Sequence, residues 1–203
     1  MGYKEKWYHN SYFRSFCFNW NNPVYKKIYD WLGSENILVD VGCGSGEFLL
    51  LSADKINLGY GLELSNQLIL QSQRKLPQTL KEKIFFLQTD FLNWQQKAEI
   101  DTLTLIFVLH EIEPKLRIQV MHKALDLAKS VIVADYVTPQ PFNPAGMFNY
   151  LAELLTPKDH FRNFRHFQHQ HWLNSYIKEN NLQVMKEEKI LSGSYHLLKI
   201  SQR

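Results

Sequence analysis

The residues best suited to chemistry fall in one short run, Val39-Asp40-Val41-Gly42-Cys43-Gly44-Ser45-Gly46-Glu47, and in two acids that follow it, Glu63 and Asp90. Glycines are needed where a backbone turns tightly or lies directly against a ligand, because a Cβ would block either. A cofactor is therefore expected on this loop. Glu63 comes seventeen residues after Gly46, where a carboxylate can accept hydrogen bonds from both vicinal hydroxyls of a ribose. Asp90 is placed to accept a hydrogen bond from an adenine amino group. A third chemical group is His110, in Phe107-Val108-Leu109-His110-Glu111-Ile112. An imidazole with an ordinary pKa near ~6.5 can take a proton at neutral pH, and Glu111 can orient it.

These residues need elements to hold them, and the middle of the chain supplies a strand-helix alternation, the pattern of a parallel sheet with crossover helices. Strands are predicted over 36–41, 56–63, 84–88, 101–109 and 131–135, with helices over 47–55, from a Ser65 cap to 75, and from Pro114 to 127. The glycine loop, Glu63, Asp90 and His110 then all lie at carboxyl ends of strands, the edge where open α/β sheets bind ligands. After the fifth strand, Pro139, Pro141 and Pro144 mark a stiff loop, followed by predicted helices over 145–155 and 158–180 and a hairpin of 182–190 with 195–201. A short helix over 23–32, ended by Gly33, follows an N-terminal segment dense in aromatics that includes Tyr12.

At this point the sequence resembles the class I S-adenosylmethionine-dependent methyltransferases, with DVGCGSG as cofactor loop, GLELS as acidic second strand and QTDF as adenine-side turn. The resemblance implies a Rossmann-like α/β fold, a mostly parallel seven-stranded sheet with a C-terminal antiparallel hairpin and extra helices at both ends. It also implies roles. Gly42, Cys43 and Gly44 line the methionine portion of S-adenosylmethionine, and Asp40 orders the loop and the amino group. Glu63 holds the ribose, Leu64 packs on adenine, Asp90 and Phe91 frame the base, Phe107 is a further cofactor-binding residue, and His110 borders the transferable methyl. The product is S-adenosylhomocysteine. A nicotinamide dinucleotide enzyme is the competing reading, but its G-x-G-x-x-G fingerprint would require glycine where Glu47 stands. A carboxylate at the helix mouth repels the pyrophosphate which that site binds.

The LHEI segment lacks the Asn-Pro-Pro-Tyr of exocyclic-amine base methylases, and the cysteines of RNA C5-methylases are absent; it resembles the small-molecule branch. His110 is the candidate base, if the acceptor must lose a proton. The acceptor pocket is expected from the flanks: Tyr12, Phe148, and a helix over residues 160–171 in which Phe161, Phe164 and Phe167 share one face beside a cationic edge of Arg162 and Arg165. That edge suits an aromatic or anionic substrate. A metal at His166, His169 and His171 is not expected, because His171 points away from the other two on a continuous helix.

The chain as a whole fits this reading. Its 203 residues, 45% hydrophobic and 21% charged, suit one globular domain over 1–203, with lids over 1–34 and 136–172. Net charge is +3 at 1–34, −4 at 35–156 and +4 at 157–203, with no basic run that would suggest nucleic acid. No apolar stretch is long enough to span a bilayer, the N-terminus does not read as a signal peptide, and two cysteines cannot build a disulfide scaffold. Those features point to the cytoplasm, a small-molecule partner and no stable membrane insertion. Two functions stay open: a metabolite methyltransferase, and a non-catalytic S-adenosylmethionine-binding protein of the same fold acting as sensor or scaffold.

Overall fold

The structure, a computed structural model, describes residues 23–202. Tyr12 and residues 1–22 of the expected N-terminal lid lie outside the described residues. A helix over 23–31, α1, precedes β1 (Glu35–Val41), α2 (Glu47–Leu51), β2 (Ile56–Glu63), α3 (Asn66–Lys75), β3 (Ile84–Gln88) and β4 (Ile100–Ile106). Then come α4 (Pro114–Leu127), β5 (Ala128–Tyr136), α5 (Pro144–Leu154), α6 (Lys158–His169), α7 (Trp172–Glu179), β6 (Gln183–Ile190) and β7 (Tyr195–Ser201). The seven strands form one sheet in the order β3-β2-β1-β4-β5-β7-β6, parallel except where β7 pairs antiparallel with β5 and β6. Strand order reverses between the parallel neighbours β1 and β4, which opens the crevice used by ligands in such sheets.

Side-chain alternation along the strands divides the core in two. Val39, Leu103, Leu105, Val131 and Val133 face one layer, where α4 and α7 contribute Val120, Met121, Trp172 and Leu173. Leu38, Ile106, Ile132 and Ala134 face the other, covered by α1, α2 and α3 through Val24, Ile28, Phe48 and Ile69. Among the described residues, no helix is long and apolar enough to cross a membrane.

Two departures from the sequence pattern matter for the site. The apolar run 101–109 is not all strand: β4 stops at Ile106 and Phe107 turns to φ +58°, a left-handed conformation that disfavours a residue with a Cβ. This turn drives Val108 under the glycine loop and folds His110 inward against β5. The predicted helix over 158–180 is two helices, because His171 adopts φ +47° and breaks the run between α6 and α7. With that break, the continuous-helix geometry assumed for the histidines of this stretch does not apply.

Candidate active site

The β1–α2 turn is built by three left-handed glycines with different jobs. A Cβ on Gly42 would meet Val108 at 2.6 Å, and one on Gly46 would meet Phe86 at 2.4 Å, so these two are required by packing as well as by φ. Gly44, at φ +56°, faces open space among the described residues: a Cβ there would meet none of their atoms within 4 Å. The carboxylate of Glu63 lies at the rim, accepting hydrogen bonds from Gly44 N–H at 3.2 Å, Leu64 N–H at 2.8 Å and Ser65 N–H at 2.9 Å. Asp90 stands exposed one strand further on, its Oδ1 accepting from Leu92 N–H at 2.9 Å. Leu64 is exposed beside Glu63, and Phe91 is buried beneath the 89–92 turn.

Asp40 lies behind the loop, 3% exposed, and accepts a 2.7 Å hydrogen bond from Thr104 Oγ1. Burial pushes its pKa up to about 7, and the charges of Glu63 and Glu47 add to the effect against the Thr104 bond. Cys43 turns its thiol into the core near Gly61, so only its backbone borders the open side. Glu47 is bonded by Ser45 and paired with Lys75. Burial would raise its pKa, but these two partners outweigh it and hold the carboxyl below the usual range. The pairing weakens the repulsion of a pyrophosphate inferred from Glu47 alone.

Beyond β4, His110 sits in a buried polar cluster whose other members come from separate elements. Its Nδ1 lies 2.7 Å from Asp135 Oδ1, and its backbone N–H donates to Asp135 Oδ2 at 3.2 Å. Its Nε2 faces Glu153 Oε1 of α5 at 3.5 Å and Glu111 Oε1 at 4.0 Å. Tyr136 donates its hydroxyl to Glu153 Oε1 at 2.9 Å, and His160 of α6 brings Nε2 to 3.1 Å from Glu153 Oε2. Burial alone would lower the His110 pKa, but the charges of Asp135 and Glu153 outweigh it and push it up to about 9. The ring thus holds its proton at neutral pH, the state of a hydrogen-bond donor. This differs from the poised base expected from the ordinary imidazole value.

Arg117 of α4 holds this corner together. It is fully buried, donating from Nε to Leu109 C=O at 2.6 Å and from Nη2 to the carbonyls of Ile112 at 3.0 Å and Asn163 at 3.2 Å. Its guanidinium also lies 5.1 Å from the ring centroids of both Phe167 and Trp172. Asn163 in turn donates to Glu111 C=O at 2.7 Å, tying α6 to the turn that carries His110.

The structure brings together Gly42, Gly44, Glu63, Leu64, Asp90 and Phe91 at one sheet edge, with Phe107 and His110 on the adjoining β4 turn. It does not bring Arg162 and Arg165 to that edge. The inner face of α6 carries His160, Asn163, Phe164 and Phe167, which leaves both arginines exposed, Arg162 at 3.4 Å from Asp159. Phe148 is exposed on α5. Asp135, Glu153, His160, Tyr136 and Arg117 were not singled out by sequence reasoning. Asp135 had a usable signal as an acid ending an apolar strand, directly comparable to Glu63, whereas Glu153 and His160 enter through helix packing that spacing alone does not encode.

Sheet order, glycine turn and strand-end acids are those of the class I methyltransferase fold. The sequence agrees: residues 38–130 match the family model of the methyltransferase domain. Among solved structures, the chain is similar to the mitomycin 7-O-methyltransferase MmcR, with a TM-score of 0.67 and 16% identity over 85% of this chain and 50% of that one. It is also similar to the magnesium protoporphyrin IX methyltransferase of Synechocystis PCC 6803, solved with S-adenosylhomocysteine, with a TM-score of 0.65 and 16% identity over 89% and 83% of the two chains. The plantazolicin methyltransferase BpumL gives a TM-score of 0.63 and 14% identity over 98% and 94%. The chain spans half the length of the mitomycin enzyme, and at these identities the likeness is one of fold. No curated protein sequence matches the chain.

Proposed function

We propose that the protein transfers a methyl group from S-adenosylmethionine to a small-molecule acceptor. The observation that carries this reading is the open face of Gly44 directly beside the Glu63 carboxylate, a cradle that a Cβ would begin to fill. The donor set fits the cofactor. Glu63 has acceptor capacity for ribose hydroxyls, Asp90 and Leu64 are exposed where adenine would lie, and Asp40 is a buried acid behind the loop that borders the amino acid portion. Bound there, the cofactor supplies an already activated methyl for in-line displacement. What remains for the chain is to align the acceptor and exclude water.

Alignment falls to the β4 turn and the helices over it. Asp135 fixes the His110 ring, Tyr136 lies tilted against it at 4.7 Å between centroids, and Phe164 of α6 meets it edge-on at 6.3 Å. This aromatic surround favours an acceptor with an apolar or aromatic body; because Phe164 and His110 are buried, residues 136–172, together with 1–34, are the segments we assign to opening for it and closing over it. Mitomycin, magnesium protoporphyrin IX and plantazolicin, after which three enzymes of similar structure are named, support a small-molecule or natural-product acceptor. The test is release of S-adenosylhomocysteine across a panel of phenols, amines, quinols and carboxylates. Turnover with one class supports an enzyme of that specificity. Tight cofactor binding without turnover on any of them would favour the non-catalytic sensor or scaffold.

A further inference from the structure

We propose that His110, Glu111, Glu153 and His160 bind a divalent first-row transition-metal ion, with Asp135 as the carboxylate behind His110. The side chains come from three separate elements, the β4–α4 turn, α5 and α6, yet they converge. Ligand atoms of His110, Glu111 and His160 all lie within 4.8 Å of one another. Glu153 borders this set through its two oxygens, Oε1 at 3.5 Å from His110 Nε2 and Oε2 at 3.1 Å from His160 Nε2; Glu111 Oε1 is 3.9 Å from His160 Nε2 and 4.0 Å from His110 Nε2. Donors at ~2.05 Å from one tetrahedral centre stand about 3.3 Å apart, so an ion would draw His110, Glu111 and His160 inward and turn the Glu153 carboxylate to offer one oxygen to both imidazoles.

Two further observations point to a ligand. Glu153 Oε2 and His160 Nε2 are buried and have no hydrogen-bond partner: their 3.1 Å approach is too poorly aligned to count as a bond. The Glu153 side chain is 8% exposed and that of His160 10%, so water offers little relief for either orphan. An ion between them would satisfy both at once. Behind His110, the Nδ1–Asp135 contact at 2.7 Å is the outer-sphere carboxylate that fixes a metal-binding imidazole with Nε2 presented inward. Tyr136 holds Glu153 Oε1 in the same way and leaves Oε2 for the metal.

The donor chemistry selects the ion. Two imidazoles with carboxylates suit zinc, manganese or ferrous iron, whereas calcium and magnesium favour all-oxygen shells. Three carboxylates gathered around two imidazoles also carry the charge that a divalent cation would neutralise. Such an ion would tie α5 and α6 to the carboxyl edge of the sheet. The proposal does not depend on methyl transfer, and either reading can fail alone.

The experiment uses the full chain, stripped with a chelator and titrated with Zn²⁺ against a chromophoric competitor. Far-UV circular dichroism and S-adenosylhomocysteine affinity of each metal-free variant serve as fold controls. One Zn²⁺ per chain is expected, weakened by more than about 100-fold in Glu153→Gln and in His160→Gln, and by about 10- to 100-fold in Asp135→Asn. A variant with His166→Ala and His171→Ala, which removes two exposed imidazoles, should bind as the unaltered chain does. Co²⁺ in the same site should give visible d–d bands that both ligand variants lose. Absence of stoichiometric Zn²⁺ binding would overturn the proposal, and so would binding that persists in Glu153→Gln and His160→Gln.

Discussion

A carboxyl held at a pKa of about 7 behind the cofactor loop should couple cofactor binding to proton release. Asp40 is buried and has no cationic partner among the described residues, so below neutrality it keeps its proton. A ligand bringing an ammonium to this end of the loop favours the carboxylate. If it binds only that form, the apparent Kd varies as one plus the ratio of proton concentration to Ka, and between about pH 5.5 and 7.5 it should fall about 25-fold, or ~1.9 kcal/mol. Calorimetry of S-adenosylhomocysteine binding near about pH 6, in buffers of different ionisation enthalpy, should show about 0.9 proton released. Asp40→Asn keeps an acceptor for Thr104 but cannot ionise, so it should bind weakly with little pH dependence. A Kd constant within about twofold over this range, or an Asn variant with the wild-type slope, would refute the argument. The sign for stability is the reverse. Because the folded pKa is raised from 3.8 to about 7, the free fold holds a proton that the unfolded chain has lost in that window. Stability from this group is therefore full below the unfolded value and declines as pH rises towards 7, by up to ~4 kcal/mol, and denaturant melts of the cofactor-free protein at several pH values would show it.

Glu63→Ala should weaken S-adenosylhomocysteine binding by ~1.5 to 3 kcal/mol through loss of charge-assisted bonds to ribose, and should also lower the melting temperature of the free protein because Gly44, Leu64 and Ser65 lose their acceptor. Gly44→Ala and Gly46→Ala should separate ligand contact from packing: both incur left-handed strain of ~1 to 2 kcal/mol, but only Gly46→Ala adds a collision with Phe86, so thermal melts should rank it clearly less stable. Gly44→Ala should instead show its larger effect in cofactor affinity. Arg117→Met should cost ~2 to 4 kcal/mol in chemical denaturation, because Leu109, Ile112 and Asn163 lose a charged donor, and hydrogen exchange should quicken first in α6.

The cofactor edge was legible in the sequence because each of its parts is local. Strand β2 is set by an apolar run with Glu63 at its end, α3 by Ser65 accepting from Leu68 N–H, and the turn by glycines that must adopt positive φ. Pro114 at the first turn of α4 fixed that helix in the same way. Periodicity misjudged the end of β4, since Phe107, Val108 and Leu109 are as apolar as the strand before them and nothing in their order announces a left-handed residue.

That one turn decides the rest of the site. Had β4 run on to Leu109, His110 would stand at a strand end, half open to the crevice and close to its ordinary acidity, as a base for the acceptor should be. The reversal at Phe107 folds it under α5 instead, where Asp135, Glu153 and His160 arrive from positions 25, 43 and 50 residues further along the chain. No spacing rule links these residues, because the link is the packing of α5 and α6 onto the sheet, held by Arg117 and Asn163. Helices inserted after β5 thus supply half of the charged cluster and change what the histidine can do. An imidazole that sequence alone makes a candidate base becomes one member of a buried His–carboxylate set packed against Tyr136 and Phe164.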